Sequence, residues 1–466
     1  MGGNPMISMV AVCLAATAIG TTAFADRAEA RFKTGFAGED YESASAATRD
    51  AAFDQTVEAA GTIARLGVDW AGLTHGQPAS PTDPGDPAYD FSTLDAAVQD
   101  ASERGLTVLM TVAHAPAFAE GPDRPGAAVG GTWKPDPSAF GEFAHALAAR
   151  YSGTFSGLPR VRYFQAWNEP NLGDFLAPQY EGGNAVAADR YLSLLNAFYD
   201  QVKAVNPDDV VLTAGTAPYG DPPGGSRTRP LIFLRHLLCL NSKLKKDTGC
   251  GERARFDVLA HHPIDTSGGP TVHALSPNDA STPDFREVVR TLRAAEHAHT
   301  VGTPGRHPAW ATEIWWESNP PDPQEGVALH RQARWLSQAL YLLWRQGASV
   351  VLNLRVMDGP PSAAGYPHNA SGISFEDGTH KPSFTAWRFP FVVTRQSDSK
   401  LRAWGKAPAA GRLVIQAESG AGWHPVKSVR VAAGAVFNLR LRTGSERLRA
   451  QVGDDTSLTW HLKQRR

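Results

Sequence analysis

The strongest constraint on the fold is an alternation of strand-like and helix-like segments that repeats eight times across residues 31–390. Short apolar runs, of which Leu106 to Ala113 is the clearest, are separated by segments with apolar residues at helical spacing. Strands that alternate with helices pair in parallel. Eight such units at this length favour a closed (β/α)8 TIM barrel. A doubly wound nucleotide-binding sheet is disfavoured, because no Gly-x-Gly-x-x-Gly follows the first strand.

The pattern changes near Ser399, where short alternating runs separated by glycine-containing turns replace the helices. This pattern of short strands and turns predicts a small antiparallel β-sandwich. We therefore expect a barrel over residues 31–395 and a β-sandwich over residues 399–466. A module of this size has little core of its own, so we expect it to pack on the barrel.

The N-terminal segment has the features of a secretory signal. An apolar run from Ile7 to Ala18 precedes Ala23-Phe24-Ala25, which predicts a signal peptide over residues 1–25. The run is too short and too rich in small residues for a transmembrane anchor. We therefore predict a secreted protein, extracellular or in the cell envelope, with no stable membrane insertion.

The cysteine residues are consistent with the predicted extracellular or cell-envelope location. Cys13 would leave with the signal peptide, while Cys239 and Cys250 remain in a charged, loop-like stretch. An oxidising compartment favours a disulfide between these two residues, and the alternative is two independent thiols.

The composition excludes some partner classes. The formal net charge is −2, with 42% hydrophobic and 20% charged residues, so nothing indicates binding to nucleic acid or to an anionic membrane. The twelve Trp and ten Tyr residues supply flat aromatic faces. Most of these are expected in the core, and a few near strand ends could stack on sugar rings.

Two acidic residues stand where barrel enzymes place their chemistry. An aromatic strand beginning at Tyr163 delivers Asn168 and Glu169 into a turn opened by Pro170, and a later apolar run ends at Glu313. These would be strands four and seven, which face each other across the barrel mouth. Glycosidic bond cleavage needs one protonated and one ionised carboxyl group, and a separation of about 5–5.5 Å gives retention of configuration.

These segments resemble known motifs. Ala166-Trp167-Asn168-Glu169-Pro170-Asn171 resembles the acid/base motif of the clan A retaining glycoside hydrolases, with family 39 closest in texture and family 5 next. Thr312-Glu313, followed by Trp315-Trp316, is similar to their nucleophile motif. The resemblance implies that Glu169 is the acid/base, Glu313 the nucleophile and Asn168 a ligand of the sugar 2-hydroxyl group. No cofactor is predicted. No metal site is predicted either, because no carboxylate lies at metal-ligand spacing from His261 and His262.

The sequence departs from the family pattern in three places, the first of which is Ile264, where the family often shows a tyrosine after His262-Pro263. The family carries an arginine at the end of strand two. We predict that strand over Val68 to Leu73, after a helix from about Ala46 to Arg65, and this segment contains no arginine. Strand eight ends in Asn353-Leu354-Arg355 rather than in an aromatic residue. Arg355 is therefore the candidate for electrostatic support of Glu313. The remaining candidate substrate-binding residues are His262, His114, Trp315 and Trp133.

The sequence thus predicts a secreted retaining glycoside hydrolase that cleaves a β-linked oligo- or polysaccharide through a glycosyl-enzyme, acting as a monomer. Two alternatives remain open. The missing strand-two arginine and the missing strand-eight aromatic residue motivate a catalytically impaired, carbohydrate-binding barrel. A transglycosylase that remodels an exopolysaccharide or a cell-wall glycan would use the same intermediate and exclude water.

Overall fold

The structure is a computed structural model that describes residues 1, 32–265, 268–362, 365, 368–397, 400–420 and 422–462. Beyond Met1, the predicted signal peptide lies outside the described residues. Within the described ranges, no helix is both long enough and apolar enough to cross a membrane.

The described residues form a closed parallel barrel of eight strands. The strands are β1 (Lys33–Phe36), β2 (Ile63–Asp69), β3 (Thr107–Ala113), β4 (Tyr163–Ala166), β5 (Val210–Thr213), β6 (Leu259–His261), β7 (Ala309–Ile314) and β8 (Ala348–Asn353). Seven neighbouring pairs form parallel ladders in the order β5-β4-β3-β2-β1-β8-β7-β6, and parallel bridges Leu212↔Val258 and Thr216↔His261 join the two ends. The predicted TIM barrel is confirmed.

Each barrel strand is followed by a helix that covers the outside of the sheet. The helices are α1 (Ala46–Glu58), α2 (Ser92–Glu103), α3 (Pro137–Arg150), α4 (Ala187–Val205), α5 (Pro230–Leu237), α6 (Phe285–His297), α7 (Leu329–Gln346) and α8 (Pro382–Arg388). Local sequence explains several ends. The Asp136 carboxylate accepts a hydrogen bond from the Ala139 N–H at 2.9 Å, with Pro137 in the first turn. Gly347, at φ 102°, ends α7 in the left-handed conformation.

The barrel interior is a packed core rather than a pore. Its buried apolar cluster comes from five strands and from Val258, the residue before β6, with side chains pointing inward as the alternation of a barrel strand requires. This core closes the amino-terminal end of the barrel and leaves polar side chains to fill the opposite end. The cluster contains Ile63, Leu109, Leu212, Val258, Trp310, Val350 and Leu352, with Tyr163 and Val210 packed against it.

The prediction for the second strand is wrong in its boundaries. The sequence analysis placed it at residues 68–73 after a helix reaching Arg65, whereas α1 ends at Glu58 and β2 runs over Ile63–Asp69. Ala60, at φ 55°, and the following Gly61 break the helix. The buried run from Ile63 to Leu66 then satisfies both faces of a barrel strand. Arg65 is therefore a strand residue.

The predicted C-terminal sandwich is confirmed as two antiparallel sheets. The strands are β9 (Phe391–Arg395), β10 (Lys400–Lys406), β11 (Gly411–Ser419), β12 (Gly422–Val431), β13 (Val436–Arg442) and β14 (Arg447–Val452), with short strands Asp455–Thr456 and Trp460–His461 pairing with β14. One sheet contains β9, β10 and β13, and the other contains β12, β11 and β14. Strand pairing begins at Phe391, before the expected boundary at 399.

The sandwich packs on the barrel at a distance from the carboxyl ends of its strands. Trp404 contacts Tyr341 and Trp344 of α7, with ring centroids 5.5 and 5.7 Å apart. Lys406 Nζ donates to Thr34 Oγ1 at 3.0 Å, at the amino end of β1. Burial lowers the pKa of Lys406 to about 8.

The predicted disulfide is present. Cys239 and Cys250 are bonded, with their Cα atoms 5.8 Å apart, which is normal for a disulfide. The bond fixes the loop that follows α5 on the outside of the barrel.

Candidate active site

A cleft of about 960 Å³ opens at the carboxyl ends of the barrel strands. The predicted residues Asn168, Glu169, Glu313, Trp315 and Arg355 all line it. This end of the barrel is where the fold places catalytic side chains.

Glu169 follows β4 in a backbone conformation that aims it into the cleft. Trp167 and Glu169 both have positive φ angles, 76° and 38°, which are costly for residues with side chains. Hydrogen bonds hold this turn: Trp167 Nε1 donates to the Phe175 carbonyl at 2.9 Å, and the Glu169 N–H donates to the Gly215 carbonyl at 3.0 Å. Strain that the surroundings maintain in this way is typical of functional sites.

Glu313 is held by Arg65, the arginine that the sequence analysis did not find. Arg65 Nη1 donates to Glu313 Oε2 at 2.9 Å, and Nη2 donates to Asn168 Oδ1 at 2.7 Å. The guanidinium therefore joins the candidate nucleophile to the candidate 2-hydroxyl ligand. Its positive charge lies directly against the Glu313 carboxylate.

A chain of buried side chains fixes Arg65 across four strands. Arg65 Nε donates to Thr111 Oγ1 at 2.9 Å, Thr111 Oγ1 donates to Gln165 Oε1 at 2.8 Å, and Gln165 Nε2 donates to the Thr213 carbonyl at 3.0 Å. The sequence analysis missed Thr111 and Gln165 as well. Inward-facing polar residues in an otherwise apolar barrel strand were the signal that could have identified them.

His262 lies between the two acids. Its Nδ1 is 2.8 Å from Glu169 Oε1 and 3.7 Å from Glu313 Oε2. The ring packs so tightly against Gly215 that a Cβ there would come within 2.0 Å of Nε2, so a side chain at Gly215 would displace it. The adjacent His261 instead bonds Thr216 and the Ala280 carbonyl. The strand alternation therefore places His262 towards the mouth.

Burial shifts the pKa values of Glu169 and His262 in opposite directions. Burial raises the pKa of Glu169 to about 7, although the charges of Arg65 and His368 partly oppose this rise. Burial lowers the pKa of His262 to about 4, so its imidazole is neutral at neutral pH. One carboxyl group can therefore carry a proton near neutral pH while an arginine is bonded to the other.

Among the described residues, Glu169, His262 and Glu313 form the one group of potential metal ligands whose donor atoms all lie within 4.8 Å of one another. The sequence analysis found no carboxylate at metal-ligand spacing from His262, because these residues are far apart along the chain. Arg65 is bonded to Glu313 Oε2 at 2.9 Å, and its positive charge disfavours a cation at the same oxygen.

The other predicted ligands differ in their positions. Trp315 lines the cleft with its ring 4.5 Å from that of His368. His114 lines an adjoining hollow, which shares Asn168 and Phe175 with the cleft. Trp133 is not among the described residues that line the cleft, and its Nε1 donates to the Pro122 carbonyl at 2.9 Å. A stacking role for Trp133 stays a prediction.

Arg355 does not support Glu313. It lines the cleft, but its Nη2 donates to both carboxylate oxygens of Asp40 at 3.2 Å. The arginine that contacts Glu313 comes instead from the second strand. Arg65 provides the positive charge from within β2.

Comparison with known proteins gives the fold an external reference. The sequence matches no protein-family model and no curated protein, whereas solved structures match over most of the chain. The family 39 glycoside hydrolase from Bacteroides cellulosilyticus WH2 has a TM-score of 0.54 at 16% identity, covering 89% of this chain and 82% of its own. This chain has the barrel fold of these hydrolases.

Two further solved structures share this fold over most of the chain. The monomeric beta-xylosidase from Caulobacter crescentus CB15 has a TM-score of 0.51 at 16% identity, covering 89% of this chain and 94% of its own. The family 39 enzyme from Xanthomonas axonopodis pv. citri has a TM-score of 0.52 at 15% identity, covering 89% and 91%. The resemblance to clan A glycoside hydrolases is thus confirmed at the level of the fold.

Proposed function

We propose that this protein is a secreted retaining glycoside hydrolase that cleaves a β-linked glycan. One observation carries the proposal: carboxylate oxygens of Glu169 and Glu313 lie within 4.8 Å of each other. This is near the separation of retaining enzymes, whereas inverting enzymes need about 6.5–9.5 Å to admit a water molecule. The barrel fold shared with glycoside hydrolases supports the same reaction class.

In the first step, Glu313 attacks the anomeric carbon while Glu169 gives its proton to the leaving oxygen as the glycosidic bond breaks. A covalent glycosyl-enzyme forms on Glu313. Glu169, now ionised, removes a proton from water, which attacks the same carbon and releases Glu313. Neutral His262, as the Nδ1–H tautomer, donates to Glu169 Oε1 and leaves Oε2 to carry the transferred proton.

Arg65 and Asn168 prepare the site for this chemistry. Arg65 is bonded to Glu313 and to the Asn168 carbonyl oxygen, which leaves the Asn168 amide N–H groups for the sugar 2-hydroxyl group. The absence of an arginine beside Glu313 was one of two reasons for the binding-only alternative, and the contact of Arg65 with Glu313 answers it. The other reason stands, because strand eight ends in Asn353-Leu354-Arg355 rather than in an aromatic residue. A transglycosylase stays distinguishable by its products, since it passes the glycosyl group to a sugar acceptor instead of water.

Replacement of Glu169 with Gln tests the role of the acid. We expect hydrolysis of 4-nitrophenyl β-glycosides to fall by about 10²–10⁴-fold, while 2,4-dinitrophenyl glycosides, whose leaving group needs little protonation, still form the glycosyl-enzyme. In the native protein, kcat/KM should fall as the pH rises through about 7, because Glu169 then loses its proton. In the variant, the burst of dinitrophenol should lose this alkaline limb.

Equal losses on both classes of substrate, or an unchanged alkaline limb in the variant, would contradict the assignment of Glu169. The matched control is Glu103→Gln on the exposed face of α2, which should leave both rates unchanged.

Export is a separate part of the proposal. It is supported by the disulfide in the described part of the chain, since such bonds persist in oxidising compartments. When the full chain is expressed in a bacterium that exports proteins, we expect a mature form that begins at Asp26 and has no free thiol. Intact-mass analysis of the cell envelope and medium measures both. A full-length cytoplasmic product with two free thiols besides Cys13 would refute export.

A further inference from the structure

The C-terminal sandwich differs from the barrel in its charge. Residues 391–466 contain 14 of the 45 Lys and Arg residues of the chain but 5 of its 47 Asp and Glu residues, a formal net charge of +9. Because the whole chain has a net charge of −2, residues 1–390 carry −11. The small total therefore conceals two regions of opposite sign, and such an asymmetry indicates an anionic partner for the basic region.

Part of this positive charge is concentrated on one face of the first sheet of the sandwich. Strands β10 and β13 pair antiparallel, with Lys400 opposite Arg442 and Arg402 opposite Arg440. Because side chains alternate along a strand, all four point to the same side of the sheet. We call these four residues the basic face. Lys400, Arg440 and Arg442 are exposed, and Arg402 is half-buried.

The charges of the basic face are not neutralised within the described part of the chain, where no carboxylate forms an ion pair with any of its four side chains. Arg402 Nε donates to Asn438 Oδ1 at 2.6 Å, which orients the guanidinium but leaves its charge. Like charges directly opposite each other destabilise an antiparallel pair, and two such pairs lie side by side here. An anion bound across them would remove this repulsion.

The basic face lies away from the cleft. On the same side of β10, two residues beyond Arg402, Trp404 packs on Phe32 with ring centroids 6.2 Å apart. Lys406, at the end of the strand, bonds Thr34 at 3.0 Å. Both contacts are at the amino-terminal end of the barrel, whereas the cleft opens at the carboxyl-terminal end. A partner on the basic face therefore leaves the cleft free, so this surface suits an anchor.

The chemistry of the face favours a carboxylated polysaccharide. Three of its four residues are arginines, whose planar guanidinium groups pair with carboxylates through two parallel hydrogen bonds. The cations repeat along two neighbouring strands, which suits a polymer that carries an acid group on successive units. Among the described residues of the sandwich, no large apolar side chain is exposed, so the surface lacks the side chains that insert into a membrane interface. The face also contains no aromatic ring for stacking on nucleic acid bases.

We propose that the basic face binds a carboxylate-bearing polysaccharide and anchors the protein to it, with the cleft directed away from the anchor. Arg402 and Arg440 pair with carboxylates of the polymer, and Lys400 and Arg442 extend the same positive surface along the two strands. The inference goes beyond the proposed hydrolase reaction, because no residue of the basic face lines the cleft.

Calorimetry with polygalacturonate fragments tests this surface in the full chain. The fragments are α-linked, so a hydrolase of β-linked glycans leaves them intact. The same fragments with methyl-esterified carboxyl groups keep the sugar backbone and lose the charge. We expect the free acid to bind and the ester not to bind, and the affinity for the free acid should fall as the salt concentration rises.

Two matched double variants locate the binding site. Arg402→Gln with Arg440→Gln removes one opposed pair from the basic face, and we expect the affinity for polygalacturonate to fall by about tenfold or more, as the loss of charged hydrogen bonds implies. The control, Arg412→Gln with Arg430→Gln, removes an opposed arginine pair of β11 and β12 in the other sheet and changes the net charge equally. It should keep most of the affinity. Thermal melting checks that both variants are folded.

Equal losses in the two double variants would reduce the effect to diffuse attraction by the whole sandwich, and the proposal would be wrong. It would also be wrong if free and esterified fragments bound equally, or if phosphatidylglycerol vesicles or duplex DNA bound more tightly than polygalacturonate at the same salt concentration. Hydrolysis of aryl β-glycosides should be unchanged in both variants, so a failure of the anchor leaves the hydrolase assignment intact. Joint loss of hydrolysis and binding would contradict the separation of the two sites.

Discussion

Glu313→Gln is expected to abolish turnover, with kcat falling by at least about 10⁴-fold on every β-glycoside that the native protein cleaves. The reason is chemical: the amide cannot form the glycosyl ester, and the other residues of the site have no substitute nucleophile in reach. Binding should survive, because Gln has nearly the shape of Glu and Arg65 can still donate to the amide oxygen.

A rescue experiment distinguishes a lost nucleophile from a disturbed site. With Glu313→Ala and an activated aryl glycoside, azide should restore release of the aryl group and give a glycosyl azide of inverted configuration. The native protein should give a first product of retained configuration by proton NMR. Full turnover in Glu313→Gln, or an inverted first product from the native protein, would overturn the mechanism. Glu103→Gln serves as the exposed matched control.

The parts of the fold that depend on local pattern could be predicted from the sequence. Asp136 with Pro137 identifies the start of α3, and Gly347 identifies the end of α7, because caps and left-handed glycines are local signals. The alternation of strands and helices predicts the barrel for the same reason. The order and closure of its strands then follow from the parallel connections.

The error in β2 had a larger effect than its few residues suggest. Moving the strand start from Val68 to Ile63 converts Arg65 from the end of a helix to an inward-facing strand residue. One boundary error thus hid the charge that pairs with Glu313 and led us to assign that role to Arg355. In a barrel, the register of a strand decides which side chains face the interior.

Other features of the site depend on contacts that sequence spacing does not encode. The pairing of Arg355 with Asp40 joins residues 315 positions apart, and the position of His262 between two acids depends on close packing against Gly215. Residue types indicate which chemistry is possible, and the fold determines which of the many Arg, Glu and His residues lie where that chemistry occurs.

Arg65→Met is expected to lower kcat/KM by about 10²–10³-fold, comparable to the loss of a donor in an oxyanion hole. Without the guanidinium, Glu313 and Asn168 lose their shared hydrogen-bond donor, and the ionised nucleophile loses its neighbouring positive charge. Arg65→Lys should recover only part of the activity, since lysine keeps the charge but cannot bond Thr111, Glu313 and Asn168 together in one plane.

The pH–rate profile separates this role from mere packing. Arg65 holds the pKa of Glu169 down against the effect of burial, so Glu169 should stay protonated to higher pH in Arg65→Met and the alkaline limb should move up. The matched control is Arg49→Met, because Arg49 is as buried and is bonded to Asp100 at 2.8 Å on α1 and α2. Arg49→Met should lower stability while leaving the pH profile in place. If the two variants give the same profile, Arg65 only stabilises the barrel, and the electrostatic account of Glu313 and Glu169 is wrong.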